Sequence, residues 1–295
     1  MKHHAFYVWL CVALIHLSIG TACSSENGDD TRVLDTERPA DDASTQSVTL
    51  TFAAQAGDAP VGCGDEVEGL GATQSSMTIR DFRFYVHDVQ LVADDGSAVP
   101  LFLEQDGKWQ RDGVALLDFE DGASACEFGN SDMRAKVTGE LPAGSYTGLR
   151  FRVGVPFAQN HANAAEADAP LNLSAMFWNW NAGYKFLRID MRNEQGDPFN
   201  VHLGSTGCQG DQMGNISGCL NENRVSVELD DFAADRDVIV VDLAELLADT
   251  DLESNELQPG CMSNPDDSDC EPYFRNLGLL WQDQPASSQR VFRRE

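Results

Sequence analysis

The run Asp81-Phe82-Arg83-Phe84-Tyr85-Val86-His87-Asp88-Val89-Gln90-Leu91 places the tightest constraint on what this chain can fold into. Phe82, Phe84 and Val86 recur at every second position. Tyr85, His87, Val89 and Leu91 do the same on the opposite side. A strand with one wet face alternates apolar and polar residues, whereas a strand apolar on both faces belongs in the middle of a sheet, covered on each side. Val48, Leu50 and Phe52 repeat the period earlier in the chain, and further strands are predicted at 134–139, 146–153, 184–191, 224–229 and 238–241. Turn residues punctuate them at Asp94-Asp95-Gly96, Gln105-Asp106-Gly107 and Pro142-Ala143-Gly144. Helix is scarce: 243–252 suits a short one, and 171–178 suits helix or extended chain equally. Many strands without intervening helices predict a mainly β protein, a single antiparallel β-sandwich-like domain with long loops over 47–295.

The chain begins Met1-Lys2-His3-His4, continues with an apolar run from Ala5 to Ile19, and reaches Gly20-Thr21-Ala22-Cys23. A basic start, a short apolar stretch and small residues before a cut describe a secretory leader over 1–22, and the run is short for a membrane span. The residues before Cys23 resemble a bacterial lipobox, with Gly20 where leucine is usual. Cleavage by an ordinary signal peptidase after Ala22 leaves the same new N-terminus. Residues 23–46 are rich in Ser, Asp, Glu and Thr with almost no large apolar side chain, the composition of an acidic flexible tether.

Eight cysteines are present, of which Cys11 leaves with the leader. Cys63, Cys126, Cys208, Cys219, Cys261 and Cys270 form an even set suited to about three disulfides in an oxidising compartment. Cys23 is then an odd exposed thiol unless a lipid occupies it. Short loops close at the lowest entropic cost, which favours Cys208–Cys219 and Cys261–Cys270 and leaves Cys63–Cys126, one of fifteen possible connectivities. The formal net charge of -28 disfavours nucleic acid and anionic lipid as partners, so any membrane attachment is expected through the N-terminal lipid alone. A solvated acidic surface accounts for most of that charge.

Two of the three histidines beyond the leader, His161 and His202, bracket Trp178 and Trp180, with Met176 two residues upstream of Trp178. Imidazole suits copper, zinc, iron and nickel, and a thioether selects copper(I), so the stretch points first to copper. Each residue also has a plain explanation. His161 could be a surface histidine, His202 a hydrogen-bonded core residue between Val201 and Leu203, and Met176 a core filler; the tryptophans would then be ordinary core aromatics. His87, in mid-strand, reads as structural or as support behind a site. There is no C-x-x-C, H-E-x-x-H or G-x-S-x-G, which removes zinc-ribbon, haem-attachment, zinc-peptidase and serine-hydrolase motifs. The acidic run 264–269 lacks the spacing, Gly and Glu of an EF-hand.

The same stretch carries a family resemblance. G-V-P-x-x-x-N-H from Gly154, P-L-N from Pro170, W-x-W-x-x-G-Y-K-F from Trp178 and H-L-G-S-T-G-C from His202 resemble the MbnP family of periplasmic copper-binding proteins, named for its link to methanobactin operons. The strand at 81–91, L-L-D-F-E-D-G at 116–122 and L-P-A-G-S-Y-T-G-L-R-F at 141–151 extend the resemblance over most of the mature chain. It implies a copper site associated with a tryptophan oxidised to kynurenine by an MbnH-like di-haem partner protein. Opening the indole exposes an aryl amine and a carbonyl, whereas the intact indole N–H only donates.

These residues predict a copper-binding lipoprotein of the cell envelope, periplasmic or outer-membrane, for copper capture, storage or transfer. Its candidate ligands are His161, His202, Trp178, Trp180, Met176 and His87, and no enzymatic activity is expected. A structural or ligand-binding envelope lipoprotein without metal is the alternative, and a copper redox enzyme a more distant one. An N-terminal histidine brace is absent because maturation leaves Cys23 first. A blue-copper site lacks the free cysteine it needs.

Overall fold

The computed structural model describes residues 44–123, 125–126, 129–211 and 215–295. The predicted leader, Cys23 and the tether up to residue 43 lie outside the described residues.

Two sheets make the body of the fold. The first carries, in order, Phe292–Arg294, Val238–Asp242, Thr45–Ala56, Lys136–Pro142 and Phe102–Leu103. The second runs from Val225–Asp230 through Tyr146–Val153 to the long strand Ser75–Ala93, then Leu187–Arg192, Pro198–Leu203 and Gly260–Cys261. Ser75–Ala93 also pairs along its length with Glu66–Leu70, Val114–Asp118 and Ala98–Pro100. It is the hub of that sheet, as its two apolar faces predict. Most pairings are antiparallel. The exceptions are Thr45–Ala56 with Val238–Asp242 and Pro198–Leu203 with Gly260–Cys261.

The sheets pack face to face through phenylalanines. Phe52 meets Phe84 and Phe151 edge-on, and Phe292 closes on the same two rings at 5.9 and 5.7 Å between centroids. Offset and edge-to-face rings of this kind add roughly 0.5–1.5 kcal/mol per pair beyond the area they bury. The edge strand Phe292–Arg294 exists for this contact: it is too short to be read as a strand from its own period.

The long strand departs from its predicted alternation in one place. Arg152 pairs with His87 but Arg150 pairs with Gln90, so the long strand carries one extra residue there, a β-bulge. Asp88 takes the left-handed φ of 51°, which aspartate tolerates better than most side chains. Beyond the bulge the faces exchange. Leu91 pairs with Leu149 and faces the core with Phe84 and Val86, not with Tyr85 and His87 as simple alternation places it.

Three disulfides brace the loops: Cys63–Cys126, Cys208–Cys219 and Cys261–Cys270. The helix predicted at 243–252 forms only over Leu243–Leu247, started by Asp242, whose carboxylate accepts from the Ala244 and Glu245 N–H groups. The ambiguous stretch 171–178 resolves into a 3-10 turn at Ser174–Met176 and a short strand, Phe177–Asn179. A helix at Glu271–Asn276 has no counterpart among the predicted elements.

Candidate metal centre

The face of the second sheet turned away from the sandwich core is polar, yet it is buried. Register places Asp81 opposite Asp190, and Arg83 opposite both Arg188 and Asp118, while Arg188 also faces His202. Paired residues share a face, so all of these side chains project to one side. Arg83 donates to Asp81. Arg188 reaches Asp81 at 3.2 Å and Asp190 at 2.5 Å, and Asp190 accepts from His202 Nε2 at 2.5 Å. A line of alternating charges thus crosses three strands and ends on an imidazole.

That imidazole is nearly enclosed. His202 is 7 % exposed, and its Nδ1 is buried without a hydrogen-bond partner. Burial lowers its pKa, the Asp190 carboxylate opposes the shift, and the net direction is down. Burial pushes the Asp190 carboxyl up, but His202 and Arg188 outweigh it and hold it below the usual carboxylate range. The result is a neutral imidazole whose Nε2–H is donated to a carboxylate. Its Nδ1 lone pair is therefore free, the tautomer a metal requires, with the second nitrogen anchored as metal-binding histidines usually have it.

Trp178 stands against this histidine, its ring 6.1 Å from the imidazole in an edge-on arrangement. It also packs close to Gly204, where a Cβ would come within 2.6 Å of Trp178 Cζ3, so the glycine after His202-Leu203 is what lets the indole approach. Trp180, two residues on, is 59 % exposed in the turn made by Asn179, whose side chain accepts from the Asn181 and Ala182 N–H groups. The pair that looked equivalent in sequence is split by this turn.

His161 caps the single helical turn Phe157–Asn160. Asn160 is fully buried and fixes its surroundings: its Oδ1 accepts from Tyr184 N at 2.8 Å, and its Nδ2 donates to Ala182 O and lies 3.1 Å from His161 Nε2. Gly183, at φ +80°, brings the backbone so close that a Cβ would sit 2.4 Å from Asn160 Oδ1. The same Nε2 lies 3.3 Å from the sulfur of Cys219, and the His161 ring also meets Phe157. Its Nδ1 is buried and unpartnered, and burial, then the Arg224 charge, lower its pKa to about 4.

The remaining candidates separate. His87 is 4 % exposed on the same outer face, paired in register with Arg152 and Val114. Its Nε2 has no partner, and burial followed by Arg224 and Arg152 lowers its pKa to about 3. Met176 is fully buried within the apolar cluster, its carbonyl accepting from Lys185 N, the placement of a space-filling residue. The loop leading into this region is pinned across the outer face by Tyr85 Oη donating to Pro170 O and Tyr184 Oη donating to Leu171 O.

Asp190 and Arg188 had no place among the residues singled out from sequence, although a signal for them existed. The turn Asn193-Glu194-Gln195-Gly196-Asp197 is a hairpin signature, and counting outward from it sets Arg188 against His202 and Asp190 against Asn200.

The sequence profile of the MbnP family matches residues 45–263. Among solved structures, MbnP from Methylosinus trichosporium superposes with a TM-score of 0.76 at 34 % sequence identity, over 84 % of this chain and 98 % of that one. No curated protein matches the sequence. By the length of the profile match and by this structural relative, the chain belongs to the MbnP family.

Proposed function

We propose that this member of a methanobactin-associated family is a non-enzymatic copper-binding protein of the cell envelope, anchored by a lipid on Cys23, that captures, stores or passes on copper. The metal would be held by His202 through Nδ1 and by His161, with Trp178 recruited once its indole is oxidised to kynurenine by a di-haem partner. One observation carries the reading: a buried imidazole with Nε2 fixed on Asp190, Nδ1 unpartnered, and a tryptophan ring beside it. Those donors fit copper, since imidazole nitrogen is a good ligand for it and an orphaned buried lone pair gains by being used. The contrast between the two tryptophans favours Trp178 over the exposed Trp180 as the residue modified. Met176, packed in the apolar cluster, and His87 are then supporting residues.

The test is copper binding by the mature protein made alone and made with its di-haem partner. Trp178 should show a net gain of one oxygen and loss of one carbon only in the second case, together with tighter copper. His202→Ala and His161→Ala should each remove most of that affinity. Binding should weaken as pH falls and protons compete for the ring nitrogens. Full copper affinity in both alanine variants would move the site elsewhere, and no copper bound by the unmutated protein, alone or made with its partner, would leave a metal-free envelope lipoprotein as the better account.

A further inference from the structure

His161 has a second set of neighbours that the copper reading does not use. Cys208 and Cys219 face each other across the hairpin Thr206–Gly210 and Ile216–Asn221, and their sulfurs and a His161 ring nitrogen all lie within 4.8 Å of one another. Both cysteines are partly exposed, whereas Cys261 and Cys270 are both buried and, of the Cys63–Cys126 pair, Cys63 is partly exposed and Cys126 buried. The hairpin disulfide is thus the one among the described residues with both cysteines within a reductant's reach, while each of the other two has at least one buried cysteine.

We propose that the Cys208–Cys219 disulfide is a redox-controlled metal site: on reduction, the two thiolates and His161 Nε2 form a three-ligand site for a soft or borderline ion, copper(I) or zinc(II). The reductant is a dithiol. One of its thiolates attacks one hairpin sulfur and displaces the other as thiolate, and its second thiol then resolves the mixed disulfide. Two electrons and two protons end on Cys208 and Cys219, and the dithiol leaves as its own disulfide. Metal binding releases the two thiol protons. Reduction does not scatter the ligands, because the pairings Thr206–Asn221 and Gln209–Gly218 flank the cysteines and keep the sulfurs opposed beside His161. Two sulfurs and one nitrogen leave one tetrahedral position open toward solvent.

This site shares His161 with the proposed copper centre but needs neither His202 nor Trp178, so the two can fail separately. The experiment reduces the mature protein with a dithiol, removes the reductant without air, and titrates with cobalt(II), whose thiolate charge-transfer bands report sulfur ligation. Two new thiols should map to Cys208 and Cys219 with the other disulfides intact, and one cobalt should bind with thiolate bands. His161→Ala should weaken that binding at least about tenfold, the lower end of what losing even an outer partner costs a metal site. His161→Asn serves as a second variant with retained polarity, and alkylating the two thiols should abolish binding on the unmutated chain. His202→Ala should leave the cobalt site unchanged. Reduction that opens the other two disulfides equally would overturn the proposal. So would cobalt bound without thiolate bands, or unchanged affinity in both His161 variants.

Discussion

The two faces of the second sheet are built from the same strands and do opposite things. On the inner face Phe84, Val86, Leu91, Phe151 and Ile189 are buried in the apolar cluster between the sheets, with Phe84 and Phe151 against Phe52 of the first. One residue away along each strand, Asp81, Arg83, Asp190, Arg188, His202 and His87 are as deeply placed or nearly so, and meet charges and a tryptophan ring instead. Burial is therefore no guide to role in this molecule. On one side it supplies stability. On the other it strips water from ionisable groups and sets their protonation states.

The widest gap between the faces should appear on truncation. Phe84→Ala removes a fully buried ring that touches Phe52, Phe119 and Phe292, and should cost about 3–5 kcal/mol in urea unfolding. Its local effect on His202 should be small, since the two side chains lie on opposite faces. A Phe84→Ala protein that remained folded but lost copper at a concentration well above that needed for binding would break the division.

Asp190→Asn attacks the outer face. Arg188 keeps Asp81 as a partner, and the introduced amide oxygen can still accept from His202, but the charge that anchors the imidazole is gone. Copper affinity should fall by about 10–100-fold, the usual effect of losing such a support. Isothermal titration beside the unmutated protein reads this directly, and unchanged affinity would show that His202 is not held for a metal.

The protonation states give a smaller but sharper contrast. Unfolded His87 takes a proton below its ordinary value of 6.5, while the folded one refuses it until about 3. Stability should therefore fall as pH drops across that window, by at most about 1.4 kcal/mol per pH unit from this residue. Asp118 acts in the other direction. Burial first, then the neighbouring Glu120 and Asp81 carboxylates, raise its pKa to about 7, against the opposing Glu120 N–H and Arg83. The folded chain holds that proton where the unfolded one has lost it, so this contribution is full below 3.8 and disappears as pH rises through 7. His87→Leu should flatten the acid limb of a stability–pH curve and Asp118→Asn the neutral limb. Parallel curves for all three proteins would contradict both assignments.

The smallest effect expected is that of Trp180→Phe. The side chain is largely exposed, so stability should change by no more than about 0.5 kcal/mol. Oxidation at Trp178 should proceed as before, measured by peptide mass.

Sequence periodicity carried the sandwich well. The strand Tyr146–Val153 appears with the ends read from its alternation, and the apolar doubling at 81–91 marked the hub of the second sheet. Periodicity failed at Asp88 because a bulge adds one residue without changing the composition around it. It also missed Phe292–Arg294, three residues whose pairing depends on Val238–Asp242 rather than on their own pattern. At the site, the histidines and tryptophans were visible as residue types in one block. The difference between Trp178 and Trp180 was not, because it arises from the Asx turn at Asn179 and the absent side chain at Gly204, not from the tryptophans themselves.

The connectivity of the first sheet dictates an order of assembly. The hairpin holding Asp190 and His202 needs only a short loop closure and can form early. The strand Thr45–Ala56, by contrast, finds its parallel neighbour only at Val238–Asp242, which is completed in turn by Phe292–Arg294. Such distant pairings form slowly, because the chain between them must be ordered before they contribute. The His202 arm of the candidate centre is thus expected to form before the first sheet is complete, with apolar faces of both sheets open until Val238–Asp242 and Phe292–Arg294 arrive. This is the interval in which the chain is most exposed to aggregation and to any factor that binds unfolded segments.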